Sequence, residues 1–192
     1  MLLENKNAII YGGGGSIGGG VARTFAREGA RVFLAGRTRE TLDAVAKDIT
    51  QAGGVADVAV LDALDEQAVD EHARAVVAAA GSIDVSFNLI PRGDVQGIPL
   101  VEMATADFTR AITTGATTNF ITARAAARQM ITQGSGVMLA LDSGSAKGAA
   151  PMMGSTSPAD AVMTASYGAW RPRSDLTACV WSASGPAVSP RR

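Results

Sequence analysis

Apolar and polar positions alternate between two regimes along this chain. Short runs in which nearly every residue is apolar are separated by longer stretches in which apolar residues return every third or fourth position. Ala8-Ile9-Ile10-Tyr11, Arg31-Val32-Phe33-Leu34-Ala35, Val55 to Val60, Ile83 to Ile90 and Val137 to Leu141 read as five buried strands. Between them, Ile17, Val21, Ala22 and Phe25 share one helical face, as do Leu42, Val45, Ala46 and Ile49. Ala68, Val69, Ala73, Val76 and Val77 do the same over residues 65–80, and Phe108, Ile112, Phe120, Ala123, Ala127 and Met130 over 105–132. Strands alternating with helices predict an α/β fold: a Rossmann-like, doubly wound parallel sheet with helices on both faces. The pattern holds through residue 161, giving one domain over 1–161.

The first strand runs into Gly12-Gly13-Gly14-Gly15-Ser16-Ile17-Gly18 and then a helix. Glycines allow a sharp turn and close backbone approach, and a helix N-terminus offers free N–H groups and a positive dipole end to a phosphate. A glycine-rich turn between strand and helix therefore predicts a nucleotide phosphate site at Gly12, Gly14, Gly15, Ser16, Ile17 and Gly18.

Composition narrows the function. With 192 residues, 47% of them hydrophobic, and a formal net charge of −1, the chain can bury a core but offers no basic field for nucleic acid. No apolar run is long enough for a membrane span. A single cysteine, Cys179, cannot form an internal disulfide, so a reducing cytoplasm is the expected compartment. The lone histidine, His72, lies within a helical pattern and reads as structural rather than catalytic. No metal-ligand spacing is present.

The glycine turn, Gly36-Arg37 after the second strand, Asp62 after the third and Ile83-Asp84-Val85 opening the fourth together resemble the short-chain dehydrogenase/reductase family. The resemblance runs from the start to about residue 160. It implies a dinucleotide cofactor, a small-molecule carbonyl or alcohol substrate and hydride transfer between them. The family's three turn glycines fall on Gly12, Ser16 and Gly18, so a serine stands at the middle position. Asp62 and Ala63 would border the adenine, and Asn88 would line the cofactor. Where the family's NAD(H) binders carry an acidic residue after the second strand, this chain has Gly36 followed by Arg37, whose guanidinium suits a 2′-phosphate. NADP(H) is expected in preference to NAD(H).

At the catalytic positions the chain departs from the family. Ser143 matches the family's serine, which polarises the substrate oxygen. The family's Tyr and Lys positions fall on Thr156 and Asp160, and its Asn position on Gly115. The usual chemistry sets a cation beside a phenol, because a free phenol of pKa about 10 is a poor base at neutral pH. Tyr167 and Arg171 also stand four apart, but Arg exchanges protons poorly and Pro172 follows, so this pair is not expected to replace them. Two functional classes follow: an oxidoreductase with Ser143 as its surviving catalytic group, or a catalytically impaired NADP-binding protein with a regulatory or structural role.

From Val162 to the end the pattern changes. Helical periodicity fades, both tryptophans and Cys179 appear, and Arg171, Arg173, Arg191 and Arg192 stand against one acid, Asp175. Shifting the reading frame by one base, with permitted third bases, can restore an apolar helical face at Ser166, Tyr167, Trp170 and Ser174. Residues 162–192 are therefore expected to be an aberrant, truncated and frameshifted tail, with Pro172, Pro186 and Pro190 favouring disorder. Family members usually pair through the helices after the fourth and fifth strands. Damage to the second of these argues against a homo-oligomer.

Overall fold

The computed structural model describes residues 1–147 and 151–170. Five strands, β1 (Asn7–Tyr11), β2 (Arg31–Gly36), β3 (Val55–Val60), β4 (Val85–Asn88) and β5 (Val137–Ala140), form one sheet in the order β3-β2-β1-β4-β5. Every pairing is parallel. The helices are α1 (Ser16–Arg27), α2 (Arg39–Gln51), α3 (Glu66–Ala80), α4 (Thr105–Gln133) and α5 (Thr156–Ala169). The predicted α/β Rossmann-like sheet is present, and the predicted fourth strand is shortened. Only Val85 to Asn88 pair with β1, because β1 itself ends at Tyr11, opposite Asn88.

Successive side chains of β1 enter opposite cores, which is why the strand is apolar from Ala8 to Tyr11. Ala8 and Ile10 pack with Val32, Leu34, Leu42, Val45 and Ile49 under α1 and α2. Ile9 and Tyr11 pack with Phe33, Val69, Val76, Ile121 and Met130 under α3 and α4. The carboxyl end of β1 is also where the chain order reverses, β2 lying on one side and β4 on the other. That is the place where a doubly wound sheet opens a crevice.

The helix α5 runs on past residue 161, to Ala169. Its buried apolar side chains are Ala159, Met163 and Tyr167, one helical turn apart and packed on α4, beside the buried polar Thr156 and Asp160. Among the described residues of α5, apolar burial is confined to those three positions, while Thr164, Ala165, Ser166 and Gly168 around them are exposed, so the apolar periodicity is faint in the sequence. Residues 171–192, including Arg171, Pro172 and Cys179, lie outside the described residues, and the expectation of an out-of-frame, disordered tail falls largely on them. Among the described residues no helix is long and apolar enough to cross a membrane.

His72 has the structural role its position suggests. Its ring meets Tyr11 edge-on, with centroids 6.0 Å apart. Burial pushes the imidazole pKa down from 6.5 to about 4. A depressed histidine pKa means that the unfolded chain takes up a proton first as pH falls, so stability is lost between pH 6.5 and 4. From pH 7 to pH 5 this one group should cost about 2 kcal/mol, at about 1.4 kcal/mol per unit. Urea denaturation of wild type and His72→Phe at both pH values tests this: the loss should be smaller in the variant by about that amount, and equal losses would refute it.

Candidate active site

The glycine turn is shaped by what surrounds it. Gly12 has a φ of +76°, and a Cβ there would lie 2.6 Å from the carbonyl oxygen of Leu89, at the end of β4. Its N–H donates to the Ala35 carbonyl of β2 at 2.8 Å, so the residue is clamped between both neighbours of β1. A Cβ at Gly14 would run into Thr41 Oγ1, and one at Gly18 into the Gly12 carbonyl oxygen. Gly15 is the N-cap of α1 and makes no side-chain cap; the first turn of that helix carries no acid. Its leading N–H groups and positive dipole end are left for an anion. Ser16 and Ile17 are both exposed at this end, so the serine at the family's middle glycine position meets no crowding.

A cleft of about 270 Å³ opens at the carboxyl ends of the strands. It is lined by Gly12, Gly14 and Gly15, by Gly36 and Arg37 after β2, and by Asp62 and Ala63 after β3. Ile90 and Pro91 after β4 and Thr114 and Thr118 of α4 close its other side. Arg37 is exposed and makes no hydrogen bond or ion pair among the described residues. Asp62 Oδ1 accepts from the Leu64 N–H at 3.0 Å, which fixes the turn into α3. Gly18 is buried beneath the turn. Asn88 is also buried rather than lining the cleft: its Oδ1 accepts from the Ile90 N–H (2.9 Å) and its Nδ2 donates to Thr122 Oγ1 (3.3 Å). It shapes the strand end from below.

Beyond this cleft the structure assembles a group the sequence did not reveal. Asp160 of α5 has a fully buried side chain. Its Oδ1 accepts from Arg92 Nη1 at 2.9 Å. Its Oδ2 accepts from the Ser143 hydroxyl at 2.6 Å, the Ser143 N–H at 3.0 Å and the Ser145 hydroxyl at 3.1 Å. Burial alone would raise the Asp160 pKa. The hydrogen bonds from Ser143 and Arg92, with the guanidinium's charge, outweigh it and hold the carboxyl below its ordinary range. Arg92 also grips Asp94 through Nε (3.2 Å) and Nη2 (2.8 Å).

Gly115 explains how Arg92 reaches this position. A Cβ on Gly115 would sit 2.7 Å from Arg92 Cδ, so the space that a side chain would fill at this point of α4 is taken by the arginine. The remaining matched position, Thr156, is buried, and its Oγ1 accepts from Gln96 Nε2 at 2.9 Å. Backbone links continue the seam. Val95 N–H donates to Ser155 Oγ (3.0 Å), Ser155 N–H to the Val95 carbonyl (3.2 Å), and Gly97 N–H to the Met152 carbonyl (2.8 Å). The loop after β4 is thus stitched to the segment entering α5. Tyr167 is absorbed into the α4–α5 interface, where its hydroxyl donates to Asn119 Oδ1 at 2.8 Å and burial pushes its phenol pKa up. That is a packing role.

Ser143, Asp160, Gly115 and Thr156 therefore lie around one seam between the loops after β4 and β5, with Arg92 as the member that sequence reasoning missed. The available signal was the buried-helix position of Asp160 itself, since a carboxylate there needs a cation.

A family model described as enoyl-(acyl carrier protein) reductase matches residues 13–170. Gluconate 5-dehydrogenase of Gluconobacter oxydans (strain 621H) is 33% identical over 134 residues, 70% of this chain and 52% of that protein. The matched segments cover about half or less of the curated relatives' own length. Among solved structures, a metagenomic short-chain oxidoreductase in complex with NADP superposes with a TM-score of 0.81 at 25% identity, over 96% of this chain and 85% of that one. A xylitol dehydrogenase bound to NAD+ gives 0.80 at 28% identity, over 87% and 64%.

The Arg92–Asp160 pair should carry stability. Arg92→Met would leave Asp160 buried without its cation, a change expected to cost about 3 kcal/mol. Gly115→Ala would gain up to about 1 kcal/mol on an open helix, but here it should destabilise, because Arg92 must move. Urea denaturation of the two variants checks both signs; a neutral Arg92→Met or a stabilised Gly115→Ala would contradict the reading.

Proposed function

The chain belongs to the short-chain dehydrogenase/reductase family, and from that premise we propose that it binds NADP(H) and serves hydride transfer with a small carbonyl or alcohol substrate. The observation that carries the reading is the cleft, where the glycine turn, an uncapped helix N-terminus and the exposed Arg37 face one space. The glycines fit a pyrophosphate because side chains at Gly12 and Gly14 would collide with the walls of the turn. The turn and the N–H groups of α1 hold the diphosphate. Arg37 meets a 2′-phosphate as a planar, fully charged donor. Asp62 and Ala63 edge the adenine side, and Ile90 and Pro91 supply an apolar floor.

When bound, the nicotinamide supplies the hydride. This chain's residues bind and orient it, and Ser143, exposed above the buried Asp160, is the group presented to a substrate oxygen. Xylitol dehydrogenase and gluconate 5-dehydrogenase, by their names, act on small polyhydroxylated molecules, which favours a small polar substrate here. One class of small-molecule partner is sufficient for this reading, and a reducing cytoplasm suits it.

A second reading has its own support. Thr156 and Asp160 stand where the family has its Tyr and Lys, and both are engaged with Gln96 and Arg92. A protein that keeps the nucleotide but moves hydride slowly or not at all, acting as a regulatory or structural partner, would look the same in the cleft.

Fluorescence titration of the purified protein with NADPH and NADH should give saturable binding with NADPH the tighter ligand. Arg37→Glu should weaken NADPH about tenfold or more and leave NADH within about twofold. A folded protein that binds neither nucleotide would sink both readings, and NADH binding as tightly as NADPH would sink the role of Arg37. Turnover of a carbonyl panel by the NADPH complex separates the enzyme from the impaired binder.

A further inference from the structure

Ser143 carries one hydroxyl proton, and the network shows where it goes. An ionised carboxylate accepts hydrogen bonds and donates none. Asp160 is fully buried, faces the Arg92 guanidinium through Oδ1 at 2.9 Å, and takes the Ser143 hydroxyl on Oδ2 at 2.6 Å, within the short range of charge-assisted O–H···O bonds. The Ser143 N–H also points to Oδ2, at 3.0 Å, so backbone and side chain are both anchored on the same oxygen. Ser145 N–H approaches Ser143 Oγ at 3.4 Å, a long contact that leaves the other lone pair of that oxygen open. Ser143 is exposed while Asp160 is not. What solvent or a ligand meets is therefore the Ser143 oxygen, with its proton turned inward.

We propose that the Arg92–Asp160 pair commits the Ser143 proton to Asp160, so that Ser143 meets substrate as a hydrogen-bond acceptor and the site selects a hydroxyl over the corresponding carbonyl. This departs from the polarising role expected of Ser143 from the sequence, in which its hydroxyl donates to a substrate oxygen. A carbonyl offers Ser143 no proton and would place oxygen against oxygen. An alcohol offers its own proton and completes the chain from substrate hydroxyl to Ser143 to Asp160. Asp160 and Arg92 are positioning residues here: neither is exposed to the ligand, and they act through the direction of the Ser143 hydroxyl. Gly115 belongs to the same device, because its missing side chain admits Arg92. The inference rests on the oxidoreductase reading for its choice of ligand class.

The test is equilibrium binding, so it does not require turnover. Ligand-observed NMR titrations of cyclohexanol and cyclohexanone, separately, against the full chain saturated with NADP+ should show the alcohol bound about fivefold tighter, one net hydrogen bond's worth. Ser143→Ala should remove that preference while leaving the nucleotide titration unchanged. Asp160→Asn, read with a melting curve, should abolish it: whichever way the amide turns, its NH2 group meets a donor, Arg92 Nη1 or the Ser143 N–H, so the Ser143 hydroxyl loses the acceptor that turns its proton inward. A merely structural role for Asp160 would weaken both probes alike. Tighter ketone binding by the wild type, an alcohol preference that survives Ser143→Ala, or binding of neither probe to the nucleotide-loaded protein overturns the inference. Absence of NADP+ binding overturns the oxidoreductase reading, and the inference with it. Should Asp160→Asn fail to fold, the Ser143→Ala comparison decides.

Discussion

A carboxylate with no exposed surface has to be paired, and the loops after β4 and β5, with α4 and α5, are arranged around that requirement. Taking Asp160 out of water without partners would cost several kcal/mol. Arg92 arrives from the loop after β4, Ser143 and Ser145 from the turn after β5, and α4 gives up a side chain at Gly115 to let the guanidinium through. Four segments distant in sequence are held by one buried charge. Removing any one of them leaves the others with an unsatisfied group, which makes the seam cooperative rather than a sum of contacts.

The glycine turn obeys a different constraint. It is built from backbone: the positive φ of Gly12, its hydrogen bond to Ala35 and its closeness to Leu89 follow from how β1 ends between β2 and β4. Nothing in that turn depends on Arg92 or Asp160. The two ends of the site can therefore vary separately. That separation lets the glycine turn stay as it is while the seam is built from Thr156, Asp160 and Gly115, where the sequence resemblance leads one to expect proton-transfer groups.

The parts legible in the sequence are those set by local rules. Ile9 and Ile10 point to opposite cores, and an unbroken apolar run announces that. The glycine turn was readable because only glycine tolerates its φ and its neighbours. The pairing of Arg92 with Asp160 was not, since the partners are 68 residues apart and nothing local says which cation reaches the carboxylate. Asn88 was placed correctly on β4 but assigned to the ligand, whereas its amide is used to hold Ile90 and Thr122. The end of α5 was missed because Met163 and Tyr167 are its only large buried side chains, too sparse for a periodic signal against the small residues between them. Three simultaneous departures from the family pattern, at Gly115, Thr156 and Asp160, were visible. That Gly115 and Asp160 both accommodate Arg92, a cation entering from another loop, needed three dimensions.

The measurement that bears most directly on this account is a carbon-13 NMR pH titration of the Asp160 carboxyl, assigned by its loss in Asp160→Asn. An ionised Asp160 held by Arg92 and by the Ser143 hydroxyl must titrate below the ordinary aspartate value of about 3.9. A midpoint at or above that value would mean that burial wins over the partners. Asp160 would then be poised to carry a proton, and the direction assigned to the Ser143 hydroxyl would be wrong.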